Sequence, residues 1–328
     1  DVCSSDLPLK LQLPMVFSSL SRSLPPIVLI SPFFFWGTAM VAMKGTLAHT
    51  TPFFLATVRL LPAGILVLLA AALMKRSQPQ TWQGWLWILG FAVVDGTLFQ
   101  GFLAQGLTHT SAGLGSVMID SQPLAVALLA AWFFGEHLGL WGWLGLVGGV
   151  MGISFLGVPP AWFTQGILWE NLLEGHTLGQ LWMLEAALAM AWGTVISRWV
   201  SQWVDPIVAT GWHMILGSIP LAIGAWGEGA AAWHDLTLRD YGALGYSTLC
   251  GSALSYALFF YFAAQGNLTS LSSLTFLTPI FALIFGNLFL QEELTLWQIL
   301  GVAITLISVY VVNQREQLEI KAPETTLP

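Results

Sequence analysis

The stretch Ser121–Gly145, SQPLAVALLAAWFFGEHLGLWGWLG, decides the fold of this chain, because its pattern returns at Thr278–Gly301, TPIFALIFGNLFLQEELTLWQILG. In each copy a proline opens an apolar run that ends on a glutamate, and a Leu-x-x-Trp step then leads through a glycine into another apolar run. The pairs that match without a gap are Pro123 with Pro279, Glu136 with Glu292, Leu138 with Leu294, Trp141 with Trp297 and Gly145 with Gly301. Trp36-Gly37-Thr38 matches Trp192-Gly193-Thr194 at the same displacement. The chain therefore uses one unit of about 130 residues twice.

The composition is that of a protein that lies in a membrane. Hydrophobic residues make up 56% of the chain and charged residues only 8%. A soluble domain has about 25% charged residues, and so apolar a chain would expose large apolar patches in water. A bilayer favours the same composition. We therefore expect an integral membrane protein.

Several classes of function are excluded by what the sequence does not contain. The net charge of −7 comes with no basic run, so binding to nucleic acid is not expected. Cys3 and Cys250 predict neither a disulfide framework nor a metal site. No Gly-x-x-x-x-Gly-Lys, His-Glu-x-x-His, Cys-x-x-Cys or Gly-x-Ser-x-Gly motif occurs, which argues against an ATP-driven pump and against common soluble enzymes. We predict no catalytic residue, no metal and no cofactor.

Ten apolar runs are long enough to cross a bilayer as helices, since a spanning helix needs about 20 residues. The runs lie at 27–47, 51–73, 84–106, 111–134, 138–158, 179–201, 205–226, 241–264, 268–290 and 295–313. Several connections are only a few residues long, so neighbouring helices must be antiparallel. A longer connection joins the fifth and sixth runs, and its tryptophans and leucines are consistent with a short interfacial helix.

The runs divide the chain into five parts. We predict a cytoplasmic tail at 1–26, a first repeat of five helices at 27–158, an extracytoplasmic linker at 159–178, a second repeat of five helices at 179–313 and a cytoplasmic tail at 314–328. Asp1–Leu7 can be back-translated into a common sequencing-adapter end. We expect that segment to be an artefact and Met15 to be the natural start.

Lysine and arginine fall on one side of the membrane when the N-terminus is placed in the cytoplasm, and only Arg239 falls in an outer loop. This bias predicts that both termini are cytoplasmic. Five spans per repeat is an odd number, so the second copy enters from the opposite side. We predict an all-α integral membrane protein whose ten transmembrane helices form two inverted five-helix repeats, with a site at the midplane between them. We expect Glu136 and Glu292 to hold their hairpin turns through nearby backbone amides.

Ionisable side chains within the spans are the first candidates for function, since each costs roughly 2.5–3.5 kcal/mol to insert. Arg59, Asp95 and Asp120 lie at one depth, close to the bilayer centre. We expect Arg59 to hold a substrate carboxylate or to pair with Asp95 or Asp120. The remaining acid would bind an amine or carry a proton. The alternative is a structural ion pair that pins helices together.

Three further ionisable residues are candidates: Lys44 and Glu185 are secondary ones, and His213 is a candidate for the binding cavity itself. Lys44 is nearer the outer end of its helix, where its side chain can also reach the interface. Glu185 is shallower than the aspartates and can face an outer vestibule. His213 lies opposite Arg59 in the repeat and is either a hydrogen-bonded packing residue or a proton-linked one.

Matched aromatic and proline residues complete the candidate site. Trp36 and Trp192 are each followed by Gly and Thr, and we expect both to flank the cavity. Packing of each indole against a glycine in the core is the alternative. Pro123 and Pro279 lie within spans, where a proline frees a carbonyl and permits a bend, so they are the hinge candidates.

The repeated pattern resembles that of a known family. Pro123–Gly145 and Pro279–Gly301, together with Trp36-Gly37 and Trp192-Gly193, are similar to the EamA-type exporters of the drug/metabolite transporter superfamily. The likeness covers residues 30–313. The resemblance implies a ten-helix carrier that exports amino acids, other metabolites or toxic compounds. It also implies a central cavity lined by the first four helices of each half, with the fifth helices at the periphery.

The sequence and the resemblance together predict a secondary transporter of the inner (plasma) membrane. It would export a small organic metabolite by alternating access, driven by a gradient of the substrate or of protons. The charges at mid-depth favour a polar or zwitterionic cargo such as an amino acid. The expected partners are this substrate, the lipid bilayer and protons, with the protein as a monomer or a homodimer. The alternatives are an exporter of hydrophobic toxic compounds, a membrane sensor or interaction protein, and an intramembrane enzyme.

Overall fold

The structure, a computed structural model, describes residues 26–134, 138–157, 175–264, 275 and 277–321. These residues form ten successive helical spans, and no strand occurs among them. The helices are α1 (Pro26–Thr46), α2 (Pro52–Leu73), α3 (Trp82–His109), α4 (Ala112–Ile119 followed by Gln122–Phe134), α5 (Gly139–Gly157), α6 (Gly175–Val200), α7 (Pro206–Glu228), α8 (Leu238–Tyr246, Ser247–Leu254 and Ser255–Ala264 in succession), α9 (Leu277–Leu290) and α10 (Leu296–Lys321). Six of them, α1 to α4, α7 and α8, are long and apolar enough to cross a membrane. The predicted all-α fold with ten helices is confirmed.

The helix ends follow from local sequence chemistry. The Asp205 side chain accepts hydrogen bonds from two backbone N–H groups of the first turn of α7, and Pro206 occupies the first helical position. Pro52 has the same position in α2. α10 continues to Lys321, beyond the predicted end at 313, because the apolar run is followed by polar residues that also favour a helix.

Equivalent helices of the two repeats make equivalent contacts. α2 packs against α7, and α5 packs against α10. α3 packs against α6 and α7 of the second repeat, while α8 packs against α1 and α2 of the first. α4 packs against α6, and α9 packs against α1. The two repeats therefore interlock around one shared hydrophobic core rather than forming two separate bundles.

Three helices depart from regular α geometry near their middles. α3 contains a π-helical segment at Ala92–Phe99, and α8 contains one at Ser247–Leu254. Wide turns of this kind are rare and concentrate at functional sites. α4 is interrupted at Asp120 and Ser121, within what the sequence indicates as one continuous span.

The interruption of α4 changes the position of the matched prolines. Pro123 lies in the first turn of Gln122–Phe134 rather than in the middle of a helix. Pro279 likewise lies in the first turn of the described part of α9, where the backbone N–H of Thr278 donates to the carbonyl of Thr275. A proline in a first turn sacrifices no helical hydrogen bond. Both prolines therefore follow a turn, and their role as hinges stays a prediction.

Candidate functional site

A central cavity lies between the two repeats. Its empty volume is about 450 Å³, part of which is open to solvent. Its walls are Trp36, Ala39, Met40 and Met43 of α1, Arg59 of α2, Phe99 and Leu103 of α3, Ser116, Ile119 and Asp120 of α4, Met190 of α6, Tyr256 of α8 and Thr278 of α9. In the described part of the chain, α5 and α10 contribute no wall residue. This arrangement agrees with the peripheral place that the family resemblance implies for the fifth helices.

Three of the six predicted cavity residues line this cavity, namely Trp36, Arg59 and Asp120. They come from α1, α2 and α4, which the interlocked packing brings to the boundary between the repeats. The Trp36 ring also packs edge-on against Tyr256, with ring centroids 5.3 Å apart. The other three predicted residues lie elsewhere.

Arg59 is the most deeply placed charge of the cavity wall, with only 3% of its surface exposed. Its Nη2 donates to Oε1 of Gln100, and Nε2 of Gln100 donates to the hydroxyl of Tyr256 at 2.8 Å. No ion pair joins Arg59 to Asp95 or Asp120 within the part of the chain that the structure describes. Of the two alternatives for Arg59, the pair with an aspartate is not found, and the guanidinium meets the neutral amide of Gln100 instead.

Asp120 stands at the interruption of α4. It is the residue that ends Ala112–Ile119, and its carboxylate accepts a hydrogen bond from the hydroxyl of Ser116 at 3.0 Å. Ser116 belongs to the same cavity wall. The break in the helix thus holds a carboxylate at the cavity without a cationic partner among the described residues.

The cavity wall carries polar atoms that have no hydrogen-bond partner among the described residues. They are Nε1 of Trp36, Nε of Arg59 and Oγ1 of Thr278. A buried polar group left without a partner costs about 1–3 kcal/mol. Three such groups around one cavity indicate a place for a ligand or for water that can complete their bonds.

Asp95 and His213 form a second polar centre outside the cavity wall. Asp95 lies in the π-helical segment of α3 and is 2% exposed, and His213 of α7 is 0% exposed. Oδ2 of Asp95 and Nε2 of His213 are 3.2 Å apart, but neither atom has the geometry of a hydrogen bond. The structure therefore places a buried carboxyl group and a buried imidazole from the two repeats within ion-pair distance of each other.

Trp192 does not flank the cavity, contrary to the prediction. It is exposed, and its ring packs against Phe133 with centroids 5.5 Å apart. The next residue, Gly193, is the one that faces the core, where a Cβ would lie 2.6 Å from Oδ1 of Asp95. Successive helical residues differ by about 100°, so a glycine that faces inward turns the preceding tryptophan outward.

The two secondary candidates have different surroundings. Nζ of Lys44 donates to the backbone carbonyls of Leu107 and Thr108, at 2.8 and 3.3 Å, and so caps the C-terminal end of α3. Glu185 is exposed on α6 and does not line the central cavity. Lys44 therefore has a structural role in this conformation.

Glu292 contacts a different helix from the one the sequence suggests. Its carboxylate accepts hydrogen bonds from the backbone N–H groups of Ala112 and Gly113 at 2.6 and 3.1 Å. It therefore caps the N-terminus of α4 in the other repeat, where the helix dipole favours a negative charge. Within its own hairpin its carbonyl accepts from Asn287 at 3.0 Å. Glu136, the matched glutamate, lies outside the described residues.

The sequence analysis did not predict Gln100 and Tyr256, the two residues that connect the polar centres. Gln100 is 0% exposed, and Tyr256 is 4% exposed. An amide in the middle of an apolar span was the signal that could have singled out Gln100, since such a group needs a partner in lipid. Tyr256 had no such signal, because it lies in a run of aromatic residues that all suit a core.

Comparison with known proteins identifies the family. The sequence profile of the EamA-like transporter family matches residues 24–158 and 177–314. The chain belongs to this family. It is therefore a multi-pass membrane transporter, in agreement with the resemblance of its repeated motifs.

Relatives support this assignment, and a solved structure shares the fold. An uncharacterised transporter of Synechocystis sp. is 61% identical over 302 residues, or 90% of this chain and 91% of the relative. A WAT1-related chloroplastic protein of Arabidopsis thaliana is 52% identical over 292 residues, or 87% of this chain and 68% of that one. A crystal structure with 16% identity has a TM-score of 0.64 over 89% of this chain and 98% of its own, which shows a shared fold alone.

Proposed function

We propose that this protein exports a small zwitterionic metabolite, of the amino-acid class, across the inner membrane by alternating access. The observation that carries the proposal is that Arg59 and Asp120 line one cavity without pairing with each other. A gradient of the substrate or of protons would drive the export. The outward direction rests on the resemblance to EamA-type exporters, and the cytoplasmic termini rest on the distribution of lysine and arginine in the sequence.

Arg59 has no anionic partner among the described residues, so an anionic ligand would stabilise it. Its described hydrogen-bond partner is the neutral Gln100, and its Nε has none. A buried charge without a counter-ion costs about 3–5 kcal/mol relative to a paired one. A substrate carboxylate would supply the missing charge and accept from the free Nε–H, and guanidinium and carboxylate match in geometry.

Asp120 supplies the complementary charge. Its carboxylate accepts only the hydroxyl hydrogen bond of Ser116 among the described residues. A substrate amine would donate to the remaining lone pairs of this carboxylate. A molecule that carries both a carboxylate and an ammonium group can therefore satisfy Arg59 and Asp120 together.

The rest of the wall favours an apolar side chain on the substrate. Met40, Met43 and Met190 are flexible and polarisable, and Trp36 offers an indole face. Amino acids with apolar side chains are therefore the best candidates for the cargo.

Counterflow into proteoliposomes tests the proposal. Vesicles preloaded with each member of a panel of unlabelled amino acids, other metabolites and apolar toxic compounds would take up the labelled form of the same compound. Arg59→Ala should lower uptake of the accepted class by about 10–100-fold, the value of a lost charged hydrogen bond. The matched control is Arg239→Ala, an exposed arginine outside the cavity, which should leave uptake unchanged.

Two results would contradict the proposal. Uptake of apolar toxic compounds alone, unaffected by Arg59→Ala, would assign the protein to drug export. No uptake of any compound by folded, monodisperse protein would favour a sensor or an interaction protein.

A further inference from the structure

We infer that Asp95 and His213 form a proton-binding site that links proton uptake to the movement of one repeat against the other. The inference rests on the proposed transport function and adds the coupling ion to it. Asp95 belongs to α3 of the first repeat, and His213 belongs to α7 of the second. Oδ2 of Asp95 and Nε2 of His213 lie 3.2 Å apart, and both side chains are almost fully buried.

The polar atoms of the pair lack the hydrogen bonds that a structural ion pair makes. Oδ2 of Asp95 and both ring nitrogens of His213 have no hydrogen-bond partner among the described residues. Structural buried pairs retain their charges by saturating their donors and acceptors. A carboxyl and an imidazole that face each other without saturation can gain or lose a proton without breaking an existing hydrogen bond.

The surroundings exclude water while keeping the pair close to the cavity. The ring of His213 stacks on Phe91, with centroids 4.2 Å apart, and Phe260 packs on it from another side. The ring of Tyr256 lies 6.3 Å from that of His213 and is itself part of the cavity wall. One layer of aromatic side chains therefore separates the pair from the cavity.

The nearest ionisable groups beside the pair are Tyr256 of α8 and, beyond it, Arg59 of α2. Tyr256 of α8 is near enough to interact electrostatically with both Asp95 and Arg59, and it receives the hydrogen bond of Gln100. α6 contributes Gly193 at the point of contact, which has no charge. No other charged side chain of the described residues lies within ion-pair distance of Asp95. Tyr256 thus lies between the pair and Arg59, which the substrate would contact.

The position of the pair links its protonation to conformation. When α3 and α7 are in contact, the pair holds one proton, and both groups stay out of water. When the repeats separate, water reaches both groups, and a proton can leave for the opposite compartment. A proton that is bound differently in two conformations shifts their equilibrium by the same linkage as any other ligand.

The π-helical segment supplies a means for the separation. Asp95 lies within Ala92–Phe99, which packs against α6 and α7. A segment with five-residue hydrogen bonds can return to α geometry and rotate the residues that it carries. Such a rotation would turn Asp95 away from His213 and Gly193.

Infrared difference spectroscopy of the purified protein tests the proton site without any substrate. We expect a carboxylic-acid C=O band that grows as the pH falls in the wild type and is missing in Asp95→Asn. His213→Gln should shift the midpoint of the same band, because it removes the neighbouring base. The control Asp235→Asn removes an exposed carboxyl group and should leave that band unchanged. Identical titrations in wild type, Asp95→Asn and His213→Gln would overturn the inference.

Transport measurements separate coupling from transport itself. Asp95→Asn should keep exchange of labelled substrate at equal pH on both sides but lose the accumulation that a pH gradient drives. Retained gradient-driven accumulation in Asp95→Asn would also overturn the inference. If the wild type shows no exchange at all, the proposed function fails, while the infrared titration still decides whether the pair binds a proton. Exchange and monodispersity of each variant show that it is folded.

Discussion

Gly217 of α7 and Gly96 of α3 meet backbone to backbone at the boundary between the repeats. A Cβ on Gly217 would lie 2.5 Å from the Cα of Gly96, and a Cβ on Gly96 would lie 2.9 Å from the Cα of Gly217. Close contacts between small residues are a main source of helix association in membranes, where lipid tails compete with apolar side chains. This contact also brings Asp95 and His213 within reach of each other.

Substitution of Gly217 by alanine should loosen the interface between α3 and α7. The added methyl group has no space, and overpacking of this kind costs about 1–3 kcal/mol. We expect a lower midpoint of thermal unfolding in detergent for Gly217→Ala. Gly227→Ala, a change in the same helix with nothing within 4 Å of the added Cβ, should leave the midpoint unchanged or raise it. Equal midpoints for the two variants would contradict the packing described here.

Replacement of Glu292 by glutamine should weaken the link between the two repeats at the N-terminus of α4. The amide can accept one of the two backbone hydrogen bonds but lacks the charge that the helix dipole favours, a loss of about 1 kcal/mol. The free energy of unfolding should fall in Glu292→Gln but not in Glu293→Gln, since Glu293 is exposed beside it. A Glu293→Gln variant as unstable as Glu292→Gln would show that the cap is not the cause.

Conversion of Gln100 to glutamate should give Arg59 an internal counter-ion. The side chain keeps its size, and its carboxylate replaces the amide oxygen that now accepts from Nη2 of Arg59. The guanidinium then no longer requires a substrate carboxylate, so we expect the KM for the substrate to rise by about 10–100-fold. Gln202→Glu, at an exposed position, is the matched control. An unchanged KM in Gln100→Glu would remove the case for Arg59 as the anion site.

The substitution Asp120→Asn should change which substrates the cavity accepts. Asparagine keeps the shape of the side chain but loses the negative charge that would hold an amine. We expect the affinity for the transported amino acid to fall. The affinity for the corresponding carboxylic acid, which lacks the amino group, should stay the same or rise. Competition of each compound against labelled counterflow measures both affinities, with Asp235→Asn as the exposed control. Parallel losses for both compounds would indicate a structural role for Asp120 instead.

Sequence reasoning found part of the cavity wall but not the contacts of its side chains. Trp36, Arg59 and Asp120 were predicted at the cavity and lie there. The alternative in which Arg59 pairs with an aspartate is not found, since its partner is Gln100. Trp192 was expected to flank the cavity and instead lies outside it.

The sequence by itself determined that the chain is a membrane protein, that it has ten helices and that one unit is used twice, because a bilayer fixes the length of a span and forces its backbone into a helix. Only the tertiary structure decided which face of each helix meets the cavity. In water an amphipathic stripe marks the buried face, but lipid accepts apolar residues on every side, so the pattern of a span carries little information about its rotation. The contacts of Gly96 with Gly217 and of Gly193 with Asp95 set that rotation, and with it the two polar centres.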